Sequence, residues 1–261
     1  MPHAPFRYTE HQPSRQAGQL VLSYWSFQAD ASLPPDERYT VFPDGCASIA
    51  VVRPAVLVLI GPRVSPLHPP VYQGSRIWGI RLWPDAIAPV LGVDAASIRD
   101  HFGALPLPAA QRFAVLPSAL PSSDEVDVVF PALDAWVTAA LQHVPEPDPR
   151  VRTAIREIVR RRGEGSLQEV ARTAAIGLRH LQRMFPRTTG LTLREFARVR
   201  RLREALALRL APTRPNWSRI AAQTGFVDHA HLTREFVALA GLAPSTAAEQ
   251  LRTTAHHRVS P

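Results

Sequence analysis

HLQRMFPRTTGL, residues 180–191, returns 51 positions later as HLTREFVALAGL, residues 231–242. Six positions keep their residue: His180 and His231, Leu181 and Leu232, Arg183 and Arg234, Phe185 and Phe236, Gly190 and Gly241, Leu191 and Leu242. Upstream, Val170-Ala171 matches Ile220-Ala221 in character. Such self-similarity is the mark of one supersecondary unit used twice. In each copy a short helix presents a small residue, Ala171 or Ala221, so that a second helix can cross it closely. A tight turn follows, at residues 174–177 and 224–228, where Gly225 is free to adopt a left-handed conformation. The second helix then buries Leu181 and Phe185, or Leu232 and Phe236, four residues apart on one face. Gly190 and Gly241 end the units.

The face opposite that apolar pair carries Arg179, His180, Gln182 and Arg183 in the first copy. In the second it carries His229, Ala230, His231, Thr233 and Arg234. Arginine bonds bidentately to guanine and glutamine to adenine, each pair discriminating by about 1–3 kcal/mol. Further arginines and helix N-termini would meet phosphates, which position a protein without reading sequence. Between the copies, residues 192–210 have the apolar spacing of one helix, with Leu193, Phe196, Ala197, Val199, Leu202, Ala205, Leu206 and Leu208 on the inner side. Its length of about 28 Å approaches one turn of duplex, about 34 Å. The pattern therefore predicts two recognition helices, held by a stiff connector, entering successive major grooves of double-stranded DNA from one polypeptide.

Charge agrees with that expectation. The chain of 261 residues carries a net +8, all of its 30 basic residues being arginine. Residues 1–149 hold 9 arginines against 14 acidic residues, a net of −5, and residues 150–261 hold 21 against 8, a net of +13. A basic half of this kind is the electrostatic footprint of a polyanion partner. The switch falls at VPEPDP, residues 144–149, where three prolines in six residues disfavour helix. This predicts an N-terminal domain over 1–143, a linker over 144–149, a DNA-binding domain over 150–252 and a tail over 253–261. Just inside the basic half, Val151, Ala154, Ile155, Ile158 and Val159 form a helical stripe stopped by Gly163 and Gly165. Ser166 and Glu169 then make a capping-box pattern.

Residues 1–83 read mostly as strand: 20–28, 39–42, 46–52, 56–60 and 76–83, punctuated by Pro and Gly. Pro43-Asp44-Gly45 between two of these runs has hairpin chemistry. Helix is expected over residues 84–102, with Asp94 capping 95–102, and over 124–143 with an interruption at Pro131. The fold class is thus α+β in two domains: a small, mainly β N-terminal domain, barrel or sandwich-like, with flanking helices, and an all-α C-terminal domain of two helix-turn-helix units on a long linker helix. Trp25, Phe27, Trp78 and Trp83 are candidates for lining an effector pocket, against the plainer reading that aromatics fill a small β core.

The C-terminal residues resemble the DNA-binding domain of the AraC/XylS family of bacterial transcription regulators. The resemblance runs from Val151 to about Gln250 and is carried by HLQRMF at 180–185 and by Ile220, Ala221, Gly225, Phe226, Leu232, Arg234, Phe236, Gly241 and Pro244. It implies that Arg179, Gln182 and Arg183 read bases in the first half-site, and His229, Ala230, Thr233 and Arg234 in the second. Five positions depart from the family pattern, Ala230 and Leu232 of the second unit being smaller than or different from the frequent choices there. Ala175 stands for the usual turn glycine and Gly177 for the usual cap serine. Pro186 stands for a basic phosphate contact, so the helix is expected to end there and Arg187 to take over that contact. More loosely, residues 20–102 resemble a small N-terminal domain of some members, through Tyr24-Trp25-Ser26-Phe27, Pro43-Asp44-Gly45-Cys46, Gly61-Pro62, Gly79-Ile80-Arg81-Leu82 and Leu91-Gly92-Val93. The family implies a small effector or homodimer formation there, and contact with RNA polymerase if the protein activates.

Other classes fit less well. One cysteine, Cys46, can form no intramolecular disulfide or multi-cysteine zinc site, and no flanking cation obviously activates it. A cysteine-dependent DNA-repair or alkyl-transfer enzyme is thereby disfavoured, and no catalytic residue, metal or cofactor is expected. His256-His257 sit in the expected tail. A protein-interaction module without specific DNA binding is the remaining alternative. No apolar run of membrane-spanning length and no secretory pattern at Met1–Glu10 occur, so a cytoplasmic, nucleoid-associated protein with no membrane partner is expected.

Overall fold

A computed structural model describes residues 5–33, 39–53 and 56–254. The expected tail, beyond Thr254 and including His256 and His257, lies outside the described residues.

Six strands form one antiparallel sheet: β1 (Phe6–His11), β2 (Val21–Ala29), β3 (Ala47–Val52), β4 (Val56–Ile60), β5 (Arg76–Leu82) and β6 (Phe102–Gly103), in the spatial order β1-β2-β5-β3-β4-β6. Successive side chains of a strand point to opposite faces. Tyr24, Ile49, Leu59, Trp78, Ile80 and Leu82 accordingly share one face and one core. That core is closed by α1 (Ile87–Leu91), α2 (Leu107–Phe113), α3 (Leu116–Ala119) and α4 (Val126–Ala140). Pro131 lies inside α4, which continues through it. The opposite face bears Tyr8, Trp25, Phe27 and Ala50, and among the described residues no helix of the N-terminal half seals it.

Two expectations for this half are corrected. Residues 84–102 are not one helical stretch: a 3-10 turn (Pro84–Ala86), α1 and a second 3-10 turn (Ala95–Ile98) are followed by Phe102 in strand β6, paired with Ile60. Asp94 does cap its turn, accepting from the Ala96 N–H. Residues 39–42 do not form a hairpin arm. Val41 makes only an isolated bridge to Leu67, and Phe42 leaves the sheet for the C-terminal core, with Gly45 against the Phe196 ring. Asp44 folds this loop on itself by accepting from the Cys46 N–H at 2.9 Å.

Among the described residues, seven helices build the basic half: α5 (Pro149–Arg160), α6 (Leu167–Thr173), α7 (Leu178–Thr189), α8 (Leu193–Leu210), α9 (Trp217–Gln223), α10 (His229–Ala240) and α11 (Pro244–Thr253). Asp148 caps α5, and Pro149 occupies its first turn. The stripe on α5 buries Val151, Ala154, Ile155 and Ile158. Ser166 caps α6 through the Gln168 N–H, but the reciprocal half of the capping box does not form, because the Glu169 carboxylate is drawn to Arg161 instead. Thr192 and Glu195 do form a complete capping box on α8. One continuous core runs through α8, from Phe185 and Phe196 in edge contact at 5.6 Å to Phe236 beneath Trp217. No described helix is long and apolar enough to cross a membrane.

The two halves are packed together. Asp85, buried in the N-terminal half, pairs with Arg152 of α5 at 2.6 Å. Arg99 pairs with Glu195 of α8 at 2.8 Å. Gly190, at the end of α7, lies against Pro62 and the carbonyl of Ala95.

Candidate functional site

In both repeated units the apolar pair is buried as expected. On α7, Leu181 and Phe185 are fully buried while Arg179, His180, Gln182 and Arg183 are exposed. The preceding turn needs a left-handed residue in each unit: Gly225 has φ +67° and Ala175 has φ +50°. The alanine pays for that geometry with a Cβ against the following carbonyl, a strain of roughly 1–2 kcal/mol. Gly177 serves as N-cap without a side-chain bond.

Pro186 does not end α7. The helix runs on to Thr189 and closes at Gly190 with φ +80°. Proline removes only one N–H from the ladder. Thr188 and Thr189 also donate their hydroxyls to the Met184 and Phe185 carbonyls in the last turn. Arg187 is exposed, yet its guanidinium is already engaged: Nε lies 3.0 Å from Asp94 Oδ2.

On α10, Leu232 and Phe236 are fully buried, and His229, Ala230 and Arg234 are exposed. Asp228 caps the helix by accepting from the His231 N–H at 2.6 Å. His231 and Thr233 are half-buried and locally committed. The His231 Nδ1 accepts from the Val227 N–H at 3.3 Å, its ring standing edge-on to Phe226, and the Thr233 hydroxyl donates to the His229 carbonyl. Two supporting arginines escaped the sequence reading because they lie on the connector. Arg198 grips Glu235 of α10 through two bonds of 2.8 and 3.1 Å, and Arg201 stacks over Phe226 at 5.5 Å. Their signal was a basic residue at every third or fourth place of α8, which a solvated face would show equally.

The second candidate is a cavity of about 310 Å³ on the open face of the sheet. Trp25 and Phe27 line it; Trp78 and Trp83 do not. The register explains the division: Trp25 stands opposite Gly79, whereas Trp78 stands opposite Ser26, and directly paired residues share a face. Trp78 is buried in the helix-covered core against Phe130, and the Trp83 indole donates to the Gly18 carbonyl. Gly79 is required here, since a Cβ would fall 1.9 Å from the Trp25 ring.

Arg81 crosses the cavity floor, paired with Glu10 and with Asp44 at 3.1 Å, and bonded to the Tyr8 hydroxyl at 2.8 Å. Cys46 also lines the cavity. Burial first, and then the Asp44 carboxylate, push its thiol well above the ordinary cysteine range. Since the thiolate is the reactive form, this side chain is poorly suited to nucleophilic work.

Residues 150–250 match the family model described as a helix-turn-helix domain, and residues 9–103 match that of a domain of unknown function, DUF6597. No curated protein matches the chain. Among solved structures, the apo form of a single-substitution variant of ToxT from Vibrio cholerae superposes with a TM-score of 0.48 at 11% identity, covering 95% of this chain and 98% of its own. Wild-type ToxT from Vibrio cholerae bound to an unsaturated fatty acid gives 0.46 at 11% identity, covering 97% of each chain.

Proposed function

We propose, from the helix-turn-helix match over residues 150–250, that the chain is a sequence-specific transcription regulator of the AraC/XylS kind that inserts α7 and α10 into successive major grooves of double-stranded DNA. The observation that carries this reading is the pairing of two like helices on one connector, each with its apolar pair buried and its arginines, Arg179 and Arg183 on α7 and Arg234 on α10, exposed. Arg179, Gln182 and Arg183 are the base-reading residues of the first half-site, with His180 beside them. In the second, His229, Ala230 and Arg234 present the free face, while His231 and Thr233 fix its shape and contact DNA from their exposed edges. Arg187 contacts a phosphate once it leaves Asp94.

The cavity beneath Trp25 and Phe27 is the site of a small effector that modulates this binding. Its size falls at the lower end of the range for ligand pockets, roughly 300–1,000 Å³, and it reaches residues of both halves of the chain.

Selection of bound duplexes from a random pool tests the reading. A reproducible bipartite site, with half-sites about one helical turn apart and an affinity that falls steeply with salt, is expected. Equal affinity for random and selected duplexes at matched salt would leave a basic interaction module in its place.

A further inference from the structure

We propose that the cavity on the open sheet face binds a small amphiphilic carboxylate, its apolar body lying on the sheet and its anionic group held by Arg203 of α8. The proposal deepens the effector part of the reading above.

The cavity wall fixes the body of the ligand. Trp25, Phe27, Ala50, Val58 and Ile60 give it an almost wholly apolar lining, which offers a hydrated multivalent ion nothing in exchange for its water. A guanidinium fixes the head. Arg203 lines the same cavity, is 5% exposed, and makes no hydrogen bond or ion pair among the described residues; its Nε is buried without an acceptor. Arg63 stands at the cavity too, 6% exposed, with Nε and Nη2 turned to the carbonyls of Ser65 and Asp100 and Nη1 buried without a partner.

The nearby carboxylates are already engaged, Asp100 by Arg99 and Glu204 by Arg162. Glu10 and Asp44 both neutralise Arg81. One turn back on α8, Arg200 adds another cation, and burial together with the charge of Arg203 disfavours its protonated form. A guanidinium taken from water without an anion is costly. The residues around the cavity therefore hold an excess of positive charge that one anionic ligand would balance. The planar fork of arginine matches a carboxylate in two bonds.

Such a ligand would touch both halves of the chain. Leu251 of α11 lines the cavity beside Arg203, and α8 joins the two helix-turn-helix units. An occupant would thus tie the sheet to the connector that sets the spacing of α7 and α10.

Octanoate and 4-phenylbutyrate, titrated into the full chain, are expected to change the Trp25 fluorescence saturably and to raise Tm, with Trp25→Phe removing the optical signal. Their primary amides should bind at least about tenfold more weakly, because they lack the charge that Arg203 answers. Arg203→Gln should bring acid and amide to the same weak affinity. The empty Arg203→Gln protein should melt higher than the parent, since an unmatched buried cation has gone. Ala50→Phe, which fills the cavity floor without altering charge, should abolish both. Amides that bind as tightly as acids, an Arg203→Gln protein that melts lower or keeps its preference, or inorganic phosphate competing at equal concentration would each overturn the proposal. If none of the acids binds while duplex binding persists, this inference falls and the DNA reading stands.

Discussion

Asp94 Oδ2 accepts from Arg187 Nε at 3.0 Å, while Asp94 Oδ1 accepts from the Ala96 N–H at 3.0 Å and so starts a 3-10 turn in the N-terminal half. One carboxylate thereby ties the last turn of α7 to the other half of the chain. The pair is largely exposed, so it contributes no more than about 0.2–1 kcal/mol. Its consequence lies in competition: Arg187 cannot serve Asp94 and a DNA phosphate together. Asp94→Asn keeps the cap and removes the charge. It should strengthen duplex binding by about a fewfold and steepen the dependence of affinity on salt by about one phosphate contact. Binding isotherms over a salt series measure both, and identical slopes for the two proteins would show that Arg187 meets no phosphate.

The two faces of α7 and of α10 should separate in mutants. Arg183→Ala and Arg234→Ala remove exposed side chains with no ion pair among the described residues. Each should cost about 1–3 kcal/mol of specific affinity and leave Tm nearly unchanged. Phe185→Ala and Phe236→Ala empty fully buried sites and should destabilise by about 3–5 kcal/mol. Thermal melts and operator titrations on the four proteins decide it. Full operator affinity in both arginine variants would count against the assigned faces.

Ala175 occupies with φ +50° the place that Gly225 fills at φ +67° in the second unit. Ala175→Gly relieves the left-handed strain but adds freedom to the unfolded chain, at about 0.5–1 kcal/mol. The balance favours the variant by up to about 1 kcal/mol. A urea midpoint raised at constant slope is the expected result, and a lowered one would mean that the turn holds Ala175 for another reason.

The repeat was readable because its constraints are local: a turn, an apolar pair four residues apart and a closing glycine all lie within one unit. The connector was readable for the same reason, its periodicity matching α8 to within a residue. Long-range pairing was not readable. The sides taken by Trp25 and Trp78 depend on a register set by their neighbours on β5 and β2, and a shift of one residue exchanges faces. The course of Phe42 into the C-terminal core, the diversion of Glu169 to Arg161 and the burial of Arg203 depend likewise on partners far away in sequence or on a neighbouring element. Pro186 shows the limit from the other side. Its local preference to stop a helix was outweighed by the packing of the last turn of α7 against the N-terminal half.

Acid should loosen the first unit through Glu157. This carboxylate is buried on α5 and held by Arg160 at 2.8 Å and by Arg161, which also reaches Glu169 on α6. The bonds from Arg160 and then Arg161 pull its pKa from an ordinary value near 4.5 to about 2. A group whose pKa is depressed on folding stabilises the native state fully above its unfolded value. That contribution declines as pH falls from about 4.5 towards 2 and is gone below it. Glu157→Gln loses the charge at every pH, so the variant should be less stable than the parent at neutral pH, and the difference should shrink steadily across this window. Urea unfolding at closely spaced pH values, with the two proteins compared at each, gives the difference directly. A gap that stayed constant down to about pH 2 would mean that the two arginines do not distinguish the charged from the neutral side chain, and that α5 and α6 are joined by packing alone.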